Sequence, residues 1–277
     1  MRDGRRMAAE QGGVPPGVDT SKANIARVYD YWLGGSNNFL ADQDAARALI
    51  AVEPNSRAMA RANRDFLGRA TRLLAASGIR QFVDIGSGIP TERNVHEVAQ
   101  EAAPGSRVVY ADVDDVVVAH SRLLLDGNPD VAVIRADVRD PAAILDAPET
   151  RALIDFSQPV GLLLVAVLHF IPDADRPWEL VARFREAMAP GSYLVVSHAT
   201  TENMSDALAA AAKKVYEGRV AASSAIRPRA GIERFFDGFD LLEPGLVQVP
   251  RWRPDASGDG AADLANFWWL AGVGALR

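Results

Sequence analysis

Apolar residues recur at helical spacing through the first part of the chain. Ile25, Val28 and Trp32 lie on one face of a predicted helix that ends at a Gly-Gly pair, since glycine commonly terminates helices. Two more helices are predicted over residues 42–52 and 56–76, because the residue before the intervening proline is pushed out of the helical conformation. The pattern therefore predicts three helices in succession.

Short β-branched runs then alternate with amphipathic stretches, which is typical of a parallel sheet covered by helices. Strands are predicted over residues 81–85, 107–111, 131–135, 160–165 and 193–197. Intervening helices are predicted to begin near Pro90, Asp115, Pro141 and Pro177. After a further helix, residues 241–249 and 267–273 predict a terminal hairpin. We therefore expect an α/β fold with a mostly parallel seven-stranded sheet, helices on both faces and an N-terminal helical extension.

Composition excludes several classes of protein. The 277 residues are 48% apolar and 24% charged and include no cysteine, which excludes disulfide scaffolds, zinc fingers, iron–sulfur clusters and thiol nucleophiles. The net charge of −6 argues against a nucleic-acid partner, because such binding depends on a basic surface.

The longest apolar run, residues 160–168, is far shorter than the ~20 residues that cross a bilayer. Residues 1–20 lack the apolar core of a secretory signal, so we expect a flexible tail, a cytoplasmic protein and no membrane contact.

A glycine-rich loop is the most informative segment. A buried strand leads through Asp84 into Gly86, Ser87 and Gly88 and then towards a helix, so that a ligand could approach the backbone and the positive end of the helix dipole. A dinucleotide fingerprint needs a third glycine where Thr91 stands. Asp84 adds a negative charge that suits a cation better than a pyrophosphate. A nicotinamide-dependent oxidoreductase is therefore the less favoured alternative.

Two further carboxylates end the next two predicted strands. Asp112 closes the second strand and Asp137 closes the third. Because the carboxyl ends of parallel strands form the ligand-binding edge of such sheets, both should lie beside Asp84. Ribose hydroxyls suit Asp112, an adenine amine suits Asp137 and a positively charged tail suits Asp84. The alternative is that each aspartate simply caps a helix or forms a turn.

In this order, the motifs resemble those of the class I S-adenosylmethionine-dependent methyltransferases. The resemblance is closer to an actinobacterial family of S-adenosyl methyltransferases of unknown function. It is carried by Asp84, Asp112 and Asp137 with their neighbours and by residues 26–35, 38–39, 61–67, 167–173, 189–197, 235–245 and 252–255. It covers nearly the whole chain after residue 20. It implies a Rossmann-like fold, with S-adenosyl-L-methionine as the cofactor and S-adenosyl-L-homocysteine as the product.

The resemblance also implies roles for individual residues. The glycine loop would line the methionine portion of the cofactor, Asp112 would bind the ribose, and Asp137 would meet adenine. Arg64 could pair with the cofactor's carboxylate, although an arginine on a solvated helix face is more common. The expected cofactor-binding residues are Asp84, Gly86, Ser87, Gly88, Asp112, Val113, Asp137, Val138, Ala166, Val167 and Arg64. Gly161 departs from the family pattern, because many class I members have an acidic residue where that strand begins.

The methyl acceptor is less well indicated. His169 and His198 follow the fourth and fifth predicted strands on the same edge, and His169 is the candidate catalytic base because a histidine pKa lies near ~6.5. A hydrogen-bonded packing role is the alternative for both. The expected acceptor pocket comprises Tyr29, Trp32, Asn38, Phe39 and His198. Tyr29 and Trp32 would otherwise form the buried face of an amphipathic helix. Two histidines alone do not predict a metal site.

We therefore expect a flexible tail over residues 1–20, a helical lid over 21–78 and an S-adenosylmethionine-binding methyltransferase domain over 79–277. The expected activity is methyl transfer to an unidentified small-molecule acceptor. A catalytically silent cofactor-binding regulator is the alternative, because no residue is an unambiguous catalyst. Trp252, Trp268 and Trp269 fit hairpin packing, an acceptor pocket or a homodimer contact equally well.

Overall fold

Eight strands form one sheet in the computed structural model, which describes residues 19–91, 93–202, 204–220, 224–255 and 267–277. The strands are β1 (Gln81–Ile85), β2 (Arg107–Asp112), β3 (Val131–Arg135), β4 (Gly161–Val165), β5 (Tyr193–Ala199), β6 (Phe239–Leu241), β7 (Val247–Gln248) and β8 (Trp269–Leu276). Their order is β3-β2-β1-β4-β5-β8-β6, and β7 also pairs with β8. Strands β1 to β5 are parallel, whereas β8 runs antiparallel to β5, β6 and β7. The strand order reverses between β1 and β4, where open α/β sheets bind ligands at their carboxyl ends.

The α-helices precede, separate and follow the parallel strands. They are α1 (Ile25–Leu33), α2 (Leu40–Val52), α3 (Ser56–Ala76), α4 (Val95–Ala102), α5 (Asp115–Leu125), α6 (Pro141–Leu145), α7 (Pro148–Leu153), α8 (Pro177–Ala187), α9 (Asp206–Arg219) and α10 (Arg229–Glu233). Gly34 ends α1 with a φ of 86°, a conformation that glycine adopts without strain. The predicted helix ending there is therefore confirmed.

Two clusters of apolar side chains fill the two sides of the sheet. Neighbouring strand residues point to opposite faces, so that Phe82 joins one cluster and Val83 joins the other. Helix α3 contributes Phe66 and Leu74 to the first cluster. This long helix therefore packs directly on the sheet, in contact with the strands that carry the candidate site.

Helices α1 and α2 form a smaller cluster with α9, which includes Val28, Trp32 and Tyr216. Arg27 of α1 is buried and lies 3.6 Å from Asp42 and 3.8 Å from Asp114. Because Asp114 caps the start of α5, this arginine connects the N-terminal helices to the segment that follows β2.

The predicted α/β fold is confirmed, with two differences in detail. The sheet has eight strands instead of seven, because the run predicted over residues 241–249 contains two short strands, β6 and β7, separated by a turn. Helix α4 begins at Val95 and not near Pro90, since Asn94 is its capping residue. The predicted tail lies almost entirely outside the described residues, as does most of the segment joining the hairpin strands. No helix in the described ranges has both the length and the apolar character needed to cross a bilayer.

Candidate active site

The glycine loop joins the carboxyl ends of three strands. The N–H of Gly86 donates to the carbonyl of Ala111 on β2 at 2.7 Å. Gly86 has a φ of 68°, and a Cβ atom there would lie 2.4 Å from Val167 Cγ2 after β4. Only glycine fits this backbone conformation and this contact. The loop therefore brings the ends of β1, β2 and β4 together, as the strand order requires.

Asp112 is held in place by backbone donors at the end of β2. Its Oδ2 accepts from the N–H of Gly88 at 2.9 Å and its Oδ1 accepts from that of Asp114 at 3.0 Å. The residue is 7% exposed, and burial raises the pKa of its carboxyl to about 6. The adjacent Val113 is 53% exposed. A fixed carboxylate with spare lone pairs beside an open apolar side chain suits a ribose and the base attached to it.

Asp84 is the second buried carboxylate at this edge. It is 4% exposed, and no described residue is shown donating a hydrogen bond to its side chain. Burial raises the pKa of Asp84 to about 7, although the charge of Arg64 acts to lower it and that of Asp112 raises it further. Such a carboxylate is costly to leave without a donor. It would be stabilised by a cationic, hydrogen-bond-donating group.

A cavity lies against Asp84, with Arg64, Ser87, Gly88 and Tyr110 among its walls. Ser87 Oγ is buried and has no hydrogen-bond partner within the described chain. Arg64 donates to Asn94 Oδ1 at 3.4 Å, which places the guanidinium beside the residues that follow the loop. An amino-acid group, with its ammonium towards Asp84 and its carboxylate towards Arg64, fits this set of charges.

The third strand end differs from the other two. The carboxylate of Asp137 accepts from Arg139 Nε at 3.0 Å and from Arg139 Nη2 at 2.5 Å. These hydrogen bonds hold the pKa of Asp137 below its ordinary value. The neighbouring Val138 is buried. An adenine amine at Asp137 would therefore share the carboxylate with Arg139.

A chain of hydrogen bonds runs from the end of β4 to helix α1. The N–H of Ala166 donates to Ser197 Oγ at 2.9 Å, and Ser197 Oγ donates to Asn63 Oδ1 at 2.6 Å. Asn63 Nδ2 in turn donates to the hydroxyl of Tyr29 at 3.0 Å. Ala166 has a φ of 59°, a conformation that costs energy for a residue other than glycine. The end of β4 is therefore fixed by side chains of α1, α3 and β5.

His169 is buried at the end of β4, between the rings of His198 and Trp269, each 5.4 Å away between ring centroids. Burial, together with the nearby His198 and Arg227, holds its pKa well below the ordinary value of 6.5. The imidazole is therefore neutral at pH 7 and binds a proton weakly. That makes it a poor general base.

His198 is fully buried and engaged on both ring nitrogens. Its Nε2 lies 2.9 Å from Arg227 Nη1, and its Nδ1 lies 2.6 Å from the carbonyl of Ala199. Arginine can only donate, so Nε2 accepts and Nδ1 carries the proton. Burial lowers the pKa of His198 to about 3. These contacts are typical of a histidine with a structural role in the core.

Arg227 is a buried residue of this region that the sequence reasoning missed. It donates to the carbonyls of Leu168 and Ile171 at 2.8 and 2.6 Å and to Asp173 Oδ1 at 2.7 Å. It thereby ties the loop after β4, which carries His169, to the segment that precedes α10. No spacing signal distinguishes this arginine from the exposed ones.

The N-terminal pocket residues fall into two groups. Tyr29 stacks on Trp269 with ring centroids 6.5 Å apart and lies 6.2 Å from Trp32. Asn38 instead donates to Asp30 Oδ2 at 2.7 Å. The ring of Phe39 lies 5.3 Å from the guanidinium of Arg27. Asn38 and Phe39 thus organise the loop between α1 and α2, apart from the aromatic group at β8.

The fold and the glycine-loop site together define a Rossmann-like cofactor-binding protein of the methyltransferase type. The fold is shared with an O-methyltransferase family protein from Burkholderia thailandensis, at a TM-score of 0.50 and 14% identity over 87% of this chain and 65% of that chain. A family model described as S-adenosyl methyltransferase matches residues 11–277, and the chain belongs to this family. The resemblance inferred from the motifs is thus confirmed, and S-adenosylmethionine is the cofactor.

Two solved structures are similar to the chain over nearly its whole length. A candidate methyltransferase from Thermobifida fusca YX is 41% identical, with a TM-score of 0.87 over 95% of this chain and 98% of that one. A DUF574 family protein from Streptomyces avermitilis MA-4680 is 42% identical, with a TM-score of 0.88 over 94% of this chain and 99% of that one. No protein of curated function matches the chain.

Proposed function

We propose that the protein transfers a methyl group from S-adenosylmethionine to a small-molecule acceptor held beneath the N-terminal helices. The observation that carries this proposal is the pair of buried carboxylates at adjoining strand ends. Asp112 is oriented by two backbone donors, and Asp84 is buried against a cavity. A cofactor that carries both a ribose diol and an ammonium group would satisfy both.

In this proposal, each expected cofactor residue has a defined task. The diol of the ribose donates to Asp112, and the amino-acid end lies between Asp84 and Arg64. Adenine rests against Val113 and Val138, with its amine at Asp137. The loop residues Gly86, Ser87 and Gly88 contact the methionine portion, and Ala166 and Val167 form the wall beside β4.

When bound, the cofactor supplies a methyl group that a sulfonium has activated. The chain's own contribution is alignment, which can supply about 7–11 kcal/mol of the barrier, and exclusion of water by the aromatic side chains around Trp269. His169 lies at the end of β4, where it shapes the site. Because burial holds its pKa well below the ordinary value, we propose that it positions groups and is not a strong base. The acceptor atom must then be nucleophilic without much help from a base.

A cofactor-binding protein without turnover is the second candidate function. It is favoured by one observation, the burial of His169 and His198 as neutral, packed imidazoles. Such a protein would bind S-adenosylmethionine and change its contacts with a partner. It would not consume the cofactor.

We also propose the division of the chain into a tail, a helical lid over residues 21–78 and a cofactor domain over residues 79–277. Helix α3 would be the fixed part of the lid, because it packs on the sheet. The acceptor is proposed to be a small molecule. A homodimer stays a prediction, and Trp252, Trp268 and Trp269 are buried within the chain, so these side chains do not supply its contact surface.

Calorimetric titration tests the proposal. S-adenosylmethionine and S-adenosylhomocysteine should bind the wild type and bind Asp112→Ala far more weakly, whereas NADH should bind neither. Incubation with the methyl-labelled cofactor and a metabolite extract of the source organism then separates the two candidate functions. A labelled small molecule supports the methyltransferase. Tight cofactor binding with no labelled product in any fraction would favour the silent regulator.

A further inference from the structure

Ala166, directly after β4, has a backbone conformation that needs support from its surroundings. Its φ of 59° lies in the left-handed region, which a residue with a Cβ atom adopts only at a cost in energy. Such residues persist where neighbouring groups hold them in place, and they are concentrated at functional sites. Ala166 stands at the strand end beside the glycine loop. The groups that hold it therefore bear on the geometry of the site.

Ser197 on β5 supplies this support. The N–H of Ala166 donates to Ser197 Oγ at 2.9 Å and to the carbonyl of Ser197 at 3.1 Å. The hydroxyl in turn donates its own proton to Asn63 Oδ1 at 2.6 Å. Both Ser197 and Asn63 are buried, so water does not compete for these hydrogen bonds. The hydroxyl therefore has one defined orientation, which helix α3 fixes.

Asn63 is itself held by a residue of helix α1. Its Nδ2 donates to the hydroxyl of Tyr29 at 3.0 Å, and that hydroxyl donates to the carbonyl of Ala60 at 2.9 Å. Each group in this chain both donates and accepts, so none can reverse its direction without breaking the bonds of the next. The chain is thus a rigid link from the N-terminal helices to the end of β4.

Val167 transmits this restraint to the glycine loop. A Cβ atom at Gly86 would lie 2.4 Å from Val167 Cγ2, so the valine side chain packs directly against the backbone of Gly86. A shift of the backbone at residues 166–167 would therefore change the space beside the loop. Asp112 is oriented by two other backbone donors. The restraint thus acts on the side of the site that is proposed to hold the methionine portion of the cofactor.

We infer that Ser197 and Asn63 are positioning residues, which fix Ala166 and Val167 and thereby shape the methionine half of the cofactor site. Neither residue needs to contact the cofactor. The inference rests on the proposed function, because it takes the glycine loop as the site of the methionine portion. It adds that helices α1 and α3 take part in cofactor binding as well as in covering the acceptor.

Ser197→Ala tests this role, and Ser192→Ala is its matched control. Ser192 Oγ accepts from the N–H of Val160 at 3.0 Å, so each of these two buried serines holds a main-chain N–H next to β4. Val160 precedes β4, at the opposite edge of the sheet from Ala166. In calorimetry on the full chain, Ser197→Ala should bind S-adenosylhomocysteine about tenfold more weakly than the wild type, and Ser192→Ala within about twofold of it. Equal affinities of the two variants would overturn the inference.

A shorter ligand distinguishes positioning from a general loss of structure. The compound 5′-methylthioadenosine keeps the adenosine and the sulfur of S-adenosylhomocysteine but lacks the amino-acid end. Its Kd is measured by direct titration or by displacement of S-adenosylhomocysteine. Ser197→Ala should bind it within about twofold of the wild type, because its ribose and base depend on Asp112 and Val113. A loss as large as that for S-adenosylhomocysteine would show damage to the whole site and would refute the inference.

Asn63→Ala tests whether the two residues act through one chain. It removes the acceptor of the Ser197 hydroxyl but leaves both acceptors of the Ala166 N–H, so S-adenosylhomocysteine binding should weaken about three- to tenfold. The double variant should bind within about twofold of Ser197→Ala, because the second substitution acts on a chain that is already broken. Losses that multiply would show independent effects and overturn the inference. If Asn63→Ala does not fold, the two serine variants and the shorter ligand still decide.

Titration of the wild type separates this inference from the proposed function. A wild type that binds neither S-adenosylmethionine nor S-adenosylhomocysteine would refute the proposed function before any variant is compared. If the wild type binds both and Ser197→Ala binds them equally tightly, only the positioning role is refuted, and the proposed function stands.

Discussion

Replacing Asp112 by asparagine tests both the electrostatics of the site and its role. Burial raises the pKa of Asp112 from 3.8 to about 6, which corresponds to about 3 kcal/mol between its two protonation states. Because the pKa is higher in the folded chain than in the unfolded chain, this contribution to stability is complete below about pH 4 and is lost as the pH rises through about 6. Asparagine has no such pH dependence.

Asparagine also has one acceptor oxygen where the aspartate has two. It can accept from the N–H of Gly88 or from that of Asp114 but not from both, and an unpaired buried N–H costs about 1–3 kcal/mol. We therefore expect Asp112→Asn to be less stable than the wild type at pH 4.5. Between pH 4.5 and pH 8, the difference should shift in favour of the variant by about 2 kcal/mol, because part of the contribution is already lost at pH 4.5.

Urea unfolding at a series of pH values measures this difference directly. The ionisation of other groups cancels between the two proteins, and Asp126→Asn, on an exposed residue, is the control. At pH 8, loss of a charged acceptor for the ribose should weaken S-adenosylmethionine binding about 10- to 100-fold. A stability difference that stays constant across the pH range would refute the electrostatic reasoning, and unchanged cofactor affinity would refute the role of Asp112.

Three further predictions concern neighbouring residues. Asp84→Asn should reduce the rise in S-adenosylmethionine affinity that we expect in the wild type from pH 5.5 to pH 7, because Asp84, with a pKa of about 7, attracts an ammonium only when ionised. The part of the rise that depends on Asp112, with a pKa of about 6, should remain. Calorimetry that finds the same slope in both proteins would contradict this. Gly86→Ala should abolish cofactor binding and destabilise the fold, since its Cβ would lie 2.4 Å from Val167. The control is Gly127→Ala, which has a similar φ of 87° but open space around its Cβ. This variant should bind the cofactor normally. Arg227→Met should lower the free energy of unfolding by about 2–6 kcal/mol, because two buried carbonyls lose their donor. A loss below about 1 kcal/mol in urea unfolding would show that those hydrogen bonds are dispensable.

The parallel strands and the helix boundaries could be predicted because each depends on local patterning. The predicted limits 81–85, 131–135 and 56–76 coincide with β1, β3 and α3. The extra strand was missed because β6 and β7 are too short to show alternation, and they exist through their pairing with β8. Helix α4 starts late because the side chains of Asn94 and Glu97 form its cap.

The residues of the candidate site could be predicted only where their position in the sequence, at the end of a strand, decides where they lie in the fold. Asp84 and Asp112 come directly from strand ends, so topology places them together. The states of His169 and His198 could not be predicted, because their burial depends on Arg227 and Trp269, which lie far away in sequence.

The hydrogen bonds that join Ala166, Ser197, Asn63 and Tyr29 have a consequence for how the family can diverge. Ser197 and Asn63 are 134 residues apart in the sequence, yet each satisfies the buried polar group of the other. A substitution at one position leaves an unmatched group at the other, so the two should change together during evolution. The N-terminal helices of one relative should then not replace those of another by themselves. A chimaera that exchanges residues 21–78 should be functional only when position 197 comes from the same parent.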